Sequence, residues 1–190
     1  MQIALAQLKP RAGQLAHNWQ RHERFIQTAA DADLIVFPEL SLTGYEPTRA
    51  GELAVDLASH PPILDDLLVA SARERIVIAA GLPTRSPEGT LISTLFVFPE
   101  GNWQLYSKQH LHVDERPWFV RGSGPVTVGV AGRRIAIAIC YELSQPAHFE
   151  AAQAEGAEFY LASAAKTASG IAAAHRRLAE IAETSGIPSL

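Results

Sequence analysis

Three side chains with complementary chemistry are spread along the chain: Glu39 in FPELSLTGYEP, Lys108 in LYSKQHL and Cys140 in IAIAICYEL. A carboxylate can move protons, an ammonium can stabilise an oxyanion, and a thiol can attack a carbonyl or nitrile carbon. Together they suffice for acyl transfer through sulfur. Glu39 follows the apolar run DLIVFP, Cys140 follows RRIAIAI, and Lys108 follows the looser run NWQLYS. All three therefore fall at or just past the ends of predicted strands, where sites in α/β sheets gather.

Each of them has a plainer reading. A lone cysteine after an apolar strand is commonly a small core residue. Glu39 could sit in an ordinary ion pair, and Lys108 could be solvated surface. Cys140 gains weight because Tyr141-Glu142-Leu143-Ser144 and a helix follow it. Backbone N–H groups at such a strand-to-helix turn favour a thiolate. His110 and His112 have strand-like spacing, but no third ligand is evident, so no metal is expected. A Cys-His hydrolase would need an imidazole beside Cys140; His148 and His175 fall within predicted helices, so neither is clearly placed to serve, and the distance from sulfur to imidazole decides.

The elements that must carry these residues alternate. QIALAQL reads as a strand, NWQRHERFIQTAADA as a helix capped by Asn18, and DLIVFPEL as a strand apolar on both faces, its pairing ended by Pro38. PPILDDLLVASARER is a second helix and RIVIAAGLP a second buried strand. This β-α-β-α-β order favours an α/β layer arrangement. TLISTLFVFPEGNWQLYSKQ reads as two strands joined around Glu100-Gly101-Asn102. VTVGVAGRRIAIAIC reads as a hairpin around Ala131-Gly132, with Ile135, Ile137 and Ile139 on one face. A helix N-capped by Ser144, with Pro146 in its first turn, runs to Gly156; a strand, EFYLASAA, comes next. A last helix places Ala174, Leu178, Ile181 and Ala182 on one stripe. The loop from Glu115 to Pro125 is long and aromatic, like a pocket wall.

Composition bounds the class. The 190 residues are 47% hydrophobic and 19% charged, so one domain with a sizeable core is expected. The net charge of −4 and the absence of any Lys/Arg run argue against a nucleic-acid partner. The apolar runs are too short to span a membrane, and MQIALAQLKPRAG reads as a strand and not a leader. One cysteine permits no internal disulfide. The reading is a cytoplasmic protein.

FPELSLTGY, YSKQHL with Glu115 and then Phe119-Val120-Arg121-Gly122, and IAICYEL resemble, in order, the three signature regions of the nitrilase superfamily, the carbon–nitrogen hydrolases. The likeness spans essentially the whole chain. It implies a four-layer αββα sandwich in which residues 1–190 form a single domain. That domain is expected to be incomplete at the C-terminus, because family members continue with the strand that IPSL begins and a further hairpin. It implies Glu39 as general base, Cys140 as nucleophile, Lys108 with the Tyr141 N–H as oxyanion donors, and Glu115 as the second glutamate supporting the lysine. Substrate contacts are expected from Tyr45, Trp118, Tyr141 and Lys166. Amides or N-carbamoyl compounds are expected before nitriles, because Tyr141 and not Trp follows the cysteine. No cofactor is implied, and a homodimer contacting through the helix after Cys140 and the last helix is. A non-catalytic member kept for binding or assembly is the competing reading. With Lys108 and a helix start beside it, the thiol is expected to react quickly with alkylating agents.

Overall fold

The computed structural model describes residues 1–166 and 168–190. Strands β1 (Ile3–Leu5), β2 (Leu34–Val36), β3 (Val77–Ser86), β4 (Gly89–Val97) and β5 (Trp103–Ser107) form one sheet in chain order. The first three pair in parallel and the last three antiparallel. Strands β6 (Thr127–Val130), β7 (Arg133–Ile139) and β8 (Phe159–Ser163) form the second sheet, with β7 parallel to β8. The helices are α1 (Leu15–Thr28), α2 (Ala50–Leu53), α3 (Pro62–Glu74), α4 (Pro146–Ala154) and α5 (Ala168–Ser185).

Two apolar clusters account for the layering. Ile35, Phe37, Ile78, Ala80, Leu95 and Val97 meet Ile26 of α1 and Ile63, Leu64 and Leu67 of α3. The alternate residues of the same strands, Leu34, Val36, Val77, Ala79 and Phe96, join Val128, Val130, Ile135, Ile137 and Ile139 of the second sheet. Successive side chains of a strand point to opposite faces, so the first sheet is covered by helices on one side and by the second sheet on the other. Ala152 of α4 and Ile181 of α5 complete the second cluster, with Ala174 and Leu178 packed against it. The expected αββα arrangement is the one observed.

Local differences have local causes. Asn18 does not cap α1. The helix begins at Leu15, and the Asn18 side chain, fully buried, accepts from the Arg11 amide at 2.7 Å and donates to the Arg11 and Leu42 carbonyls. Ser144 does not cap α4. It ends a 3-10 turn, Cys140–Ser144, where its hydroxyl donates to the Tyr141 carbonyl, and the residue before α4 is Gln145. QIALAQL pairs only over Ile3–Leu5. Pro38 does end regular pairing of β2, and Ala131-Gly132, both at positive φ, make the tight β6–β7 turn. The IPSL segment lies beside β8: the Tyr160 amide donates to Pro188 O and the Leu190 amide to Tyr160 O, each at 3.0 Å.

Two glycines let the site's loops lie directly on the first sheet. A Cβ at Gly81 in β3 would collide with the Pro38 carbonyl and the Leu40 amide, and one at Gly122 with the Ser107 carbonyl. Backbone contact at these points seats the Glu39 loop and the end of β5. Gly81→Ala is expected to cost about 1–3 kcal/mol, as overpacking does, whereas Gly129→Ala, whose Cβ meets open space, changes stability by under about 0.5 kcal/mol. Denaturant unfolding of the two variants checks this; equal stabilities would show that the Glu39 loop is not held by close backbone approach.

Candidate active site

Glu39, Lys108 and Glu115 converge. The Lys108 side chain is fully buried, and its ammonium donates to Glu39 Oε1 at 2.8 Å and to Glu115 Oε1 at 2.6 Å. Glu39 Oε2 also accepts from the Ala165 amide at 3.3 Å. Glu115 Oε2 accepts from the His112 amide at 2.7 Å, and Oε1 lies 3.4 Å from the Tyr45 hydroxyl. An ammonium has three N–H groups. Two are used here, and the third has no protein acceptor among the described residues.

Each of these groups is held through its backbone. The Lys108 amide donates to Ile92 O at 2.8 Å, and its carbonyl accepts from the Gly122 amide at 2.8 Å. The Glu39 loop is tied to β3 by Phe37 N to Ala79 O and Leu42 N to Gly81 O, both 2.9 Å. Beneath it the Ser41 hydroxyl meets His22 Nε2 at 2.9 Å and accepts from the Gly81 amide at 3.2 Å. The His22 ring stacks on Phe37 at 4.0 Å, and its burial holds its pKa down at about 4, so it is a neutral strut.

Cys140 arrives from the other sheet. It opens the 3-10 turn at the end of β7 with φ of 50°, a left-handed conformation that non-glycine residues adopt at a cost of order 1–3 kcal/mol. The turn aims the side chain away from the strand direction, in the manner of a nucleophile elbow. Leu40, next to Glu39, is held in the same region at φ 51°.

The electrostatics do not favour the fast-reacting sulfur expected from the sequence; burial and Glu39 outweigh the groups that favour a thiolate. Burial first, and then the adjacent Glu39 charge, push the Cys140 thiol up to about 12, against the pull of Lys108 and Lys166. The Lys108 ammonium sits between two carboxylates, so its pull on the sulfur offsets only part of the burial and Glu39 contributions. Lys108 itself is held above the ordinary lysine value: burial would lower it, but Glu39 and Glu115 outweigh that. At the sulfur these influences favour the protonated thiol over the thiolate.

Of the expected substrate contacts, Tyr45 lies closest to the carboxylates. Its phenol is pushed up by burial and then by the Glu115 and Glu39 charges. Tyr141 follows the sulfur and meets the His112 ring edge-on at 5.2 Å. Lys166 is exposed, and its charge reaches the thiol. Trp118 stands 44% exposed, and among the described residues no hydrogen bond or ring contact ties its side chain to the cluster. An open cavity of about 1060 Å³ runs past Glu39, Tyr45 and Lys166 between β1, β8 and α5. Among the described residues no three His, Cys, Asp or Glu side chains converge as metal ligands. His148 cannot serve as a base for Cys140, because Tyr106 and Tyr160 occupy both its ring nitrogens at 2.9 and 2.8 Å.

Sequence reasoning passed over Glu142. It is fully buried and accepts from the amides of Ile139, Gln109 and His110 and from the Tyr106 hydroxyl. A glutamate two residues past an apolar strand that also ends in the nucleophile is the available signal, since buried carboxylates need several donors.

The family model for carbon-nitrogen hydrolases matches residues 2–182. An (R)-stereoselective amidase from a Pseudomonas species is 34% identical over 160 residues, covering 83% of this chain and 58% of that protein. The chain thus spans a little over half the length of such curated relatives. A crystal structure of an amidase from Nesterenkonia sp. superposes with a TM-score of 0.78 at 26% identity, covering 90% of this chain and 68% of that one. A Glu-to-Gln variant of that amidase carries acrylamide joined by Michael addition to its active-site cysteine. A CN-hydrolase superfamily protein from Xanthomonas campestris shares the fold with a TM-score of 0.86 at 23% identity, covering 96% of this chain and 71% of that one. With its two sheets, its buried Glu–Lys–Glu cluster and a thiol at the strand end beside it, the chain belongs to the carbon-nitrogen hydrolase family.

Proposed function

We propose that the protein hydrolyses a non-peptide carbon–nitrogen bond in a small linear amide or N-carbamoyl compound, giving an acid and ammonia or an amine through a cysteine thioester. The observation that carries this reading is the buried Lys108 ammonium between Glu39 and Glu115, with the Cys140 thiol close enough to feel the Glu39 and Lys108 charges.

In this scheme Glu39 takes the Cys140 proton as sulfur bonds to the carbonyl carbon. The oxyanion accepts from the third N–H of Lys108 and from the Tyr141 amide. The first amides of a helical turn have no partner within it, so the Tyr141 amide is available. The protonated Glu39 then gives its proton to the departing nitrogen, the C–N bond breaks, and the thioester remains. Water attacks, Glu39 accepts one of its protons, and collapse expels the sulfur, which regains that proton. Glu115 keeps Lys108 charged and in place throughout. Tyr45, Tyr141 and Lys166 face the substrate in this reading, and Trp118 contributes from the pocket rim. Each of these steps is assigned to a side chain or a backbone amide of this chain.

The relatives' activities support amides first: a stereoselective amidase, ω-amidases and an acrylamide-modified amidase. We also propose that residues 1–190 act as one domain, that the protein is cytoplasmic, and that it pairs as a homodimer. No helix among the described residues is long and apolar enough to cross a membrane. Exposed Ala172 and Ala173 on α5 would let a partner helix approach closely. A light-scattering mass of two chains is expected, and a mass of one chain at high concentration counts against the dimer.

Two measurements test the chemistry. Ammonia release from a panel of small amides and N-carbamoyl compounds is expected from the wild type and not from Cys140→Ala, while Lys108→Ala loses about 10²–10³-fold in kcat. A silent wild type across the panel would favour a binding role. The second measurement is iodoacetamide alkylation against pH. With the thiol at about 12, the wild-type rate climbs roughly tenfold per pH unit from 7 to 10 without levelling, because only thiolate reacts. Glu39→Gln removes the negative charge nearest the sulfur. Alkylation then runs faster at each pH, although turnover fails for want of the base. A wild-type plateau below pH 9 would mean a resting thiolate and a different role for Glu39.

A further inference from the structure

One buried carboxylate takes no part in the proposed reaction yet bonds to the backbone on both sides of the site. Glu142 is the third residue of the turn that Cys140 opens. Its Oε2 accepts from the amide of Ile139, the residue before the nucleophile, at 2.9 Å. Its Oε1 accepts from the amides of Gln109 and His110, the residues after Lys108, at 2.6 and 3.1 Å. Tyr106, two residues before Lys108, donates its hydroxyl at 2.8 Å.

Three backbone N–H groups can only donate, so the Glu142 oxygens accept from them. Burial pushes the Glu142 carboxyl up, against the pull of these amides and of the Tyr106 hydroxyl; in its ionised form the carboxylate also takes the Tyr106 proton as acceptor. The Tyr106 oxygen, 2.9 Å from His148 Nε2, then accepts from that ring, and His148 Nδ1, 2.8 Å from the Tyr160 hydroxyl, accepts in turn. The chain of donors runs Tyr160 to His148 to Tyr106 to Glu142. Burial keeps His148 neutral, with its pKa down at about 4, so it provides no counter-charge to the carboxylate 3.7 Å away.

A buried carboxylate without a cation is expensive to keep. Apolar packing alone would hold the two sheets together. What the carboxylate adds is direction. We infer that Glu142 is a positioning residue: it ties the amide before Cys140 to the amides after Lys108, and so sets the nucleophile against the oxyanion-binding cation. It touches no reacting atom, and acts by fixing the distance between two residues that arrive from different sheets. Misplacement of a reacting group by about 1 Å costs roughly 10²-fold in rate.

The test pairs Glu142→Gln with Ser71→Ala. Gln keeps the size but turns an amide N–H₂ toward backbone donors on one side. Ser71→Ala deletes a buried hydroxyl bonded to the Ile76 and Val97 carbonyls, and serves as the stability control. Glu142→Gln is expected to lower kcat about 10²-fold with KM within about threefold, while Ser71→Ala lowers Tm and leaves kcat unchanged. The kcat arm rests on the amidase reading. The pH profile of Cys140 alkylation does not, and it should also move. As sulfur and Glu39 lose their fixed approach, the midpoint falls from about 12, so Glu142→Gln alkylates faster than wild type at pH 9. A wild type inactive on every amide would remove the proposed reaction and leave this second arm standing. If Glu142→Gln fails to fold, Tyr106→Phe carries both measurements, with a kcat loss of about tenfold and the same direction of alkylation change. Unaltered kcat and alkylation in whichever variant folds, or a kcat loss matched by Ser71→Ala at equal loss of Tm, would reduce Glu142 to a packing group.

Discussion

The ammonium of Lys108 has no access to solvent and two carboxylates within 2.8 Å, and the rest of the site depends on that arrangement. Removing one partner of a buried pair costs about 3–5 kcal/mol because a charge is left uncompensated. Here a single cation is shared by two carboxylates. Burial, and then the Glu39 charge, push the neighbouring thiol up against the pull of that cation. The arrangement therefore separates two tasks that are easily assigned to one lysine. Its charge keeps the glutamates in the protein interior, and its remaining N–H is available to an oxyanion. In the proposed reaction, deprotonating the thiol falls to Glu39, whose charge acts on both groups.

Much of this was legible in the sequence, because strand ends are legible. Apolar runs ending in Pro38-Glu39 and in Cys140 marked both the strands and the turns after them, and the order of elements indicated the layers. Errors came where a side chain bonds to backbone far away in sequence. Asn18 has the residue type of a helix cap, but its amide is used 24 residues on, at Leu42. Ser144 differs for a nearer reason: it has a cap's chemistry, but its hydroxyl is spent on its own turn, at the Tyr141 carbonyl. Sign errors arise the same way. From the sequence alone, Lys108 near Cys140 suggests a thiolate. The resemblance already set Glu115 beside the lysine; its bond at 2.6 Å shows how far the lysine charge is taken up by carboxylates.

The site also straddles a boundary. Lys108 and the Glu39 loop belong to the first sheet, and Cys140 ends a strand of the second. Between the sheets lie Val36, Ala79, Phe96, Ile135 and Ile137. Such packing is strong but non-directional, and tolerates small slips of one layer over another. The proposed reaction, in which sulfur, proton acceptor and oxyanion donor must meet, does not tolerate them. The sheets are accordingly joined by polar contacts at this end. The Ser163 hydroxyl of β8 donates to the Phe37 carbonyl at 2.9 Å, two residues before Glu39. The Ala165 amide reaches Glu39 itself.

Glu142 belongs to the same set, and its position explains why a charge was kept where an apolar side chain would pack. Hydrogen bonds to ionised acceptors are shorter and about twice as strong as neutral ones, and four donors around one carboxylate specify its place in three dimensions. Three of those donors, the amides of Gln109 and His110 and the Tyr106 hydroxyl, lie on the chain that carries Lys108; the fourth, from Ile139, lies on the strand that carries Cys140. An apolar residue of equal size would fill the volume and leave those amides without acceptors, at a cost of about 1–3 kcal/mol each. The left-handed turn at Cys140 must be held by something other than its own preference. The bond from the Ile139 amide to Glu142 closes that turn from within, while the bonds to Gln109 and His110 give it a fixed external reference. Strain at the nucleophile and charge in the core are thus two sides of one solution to aligning groups from separate sheets.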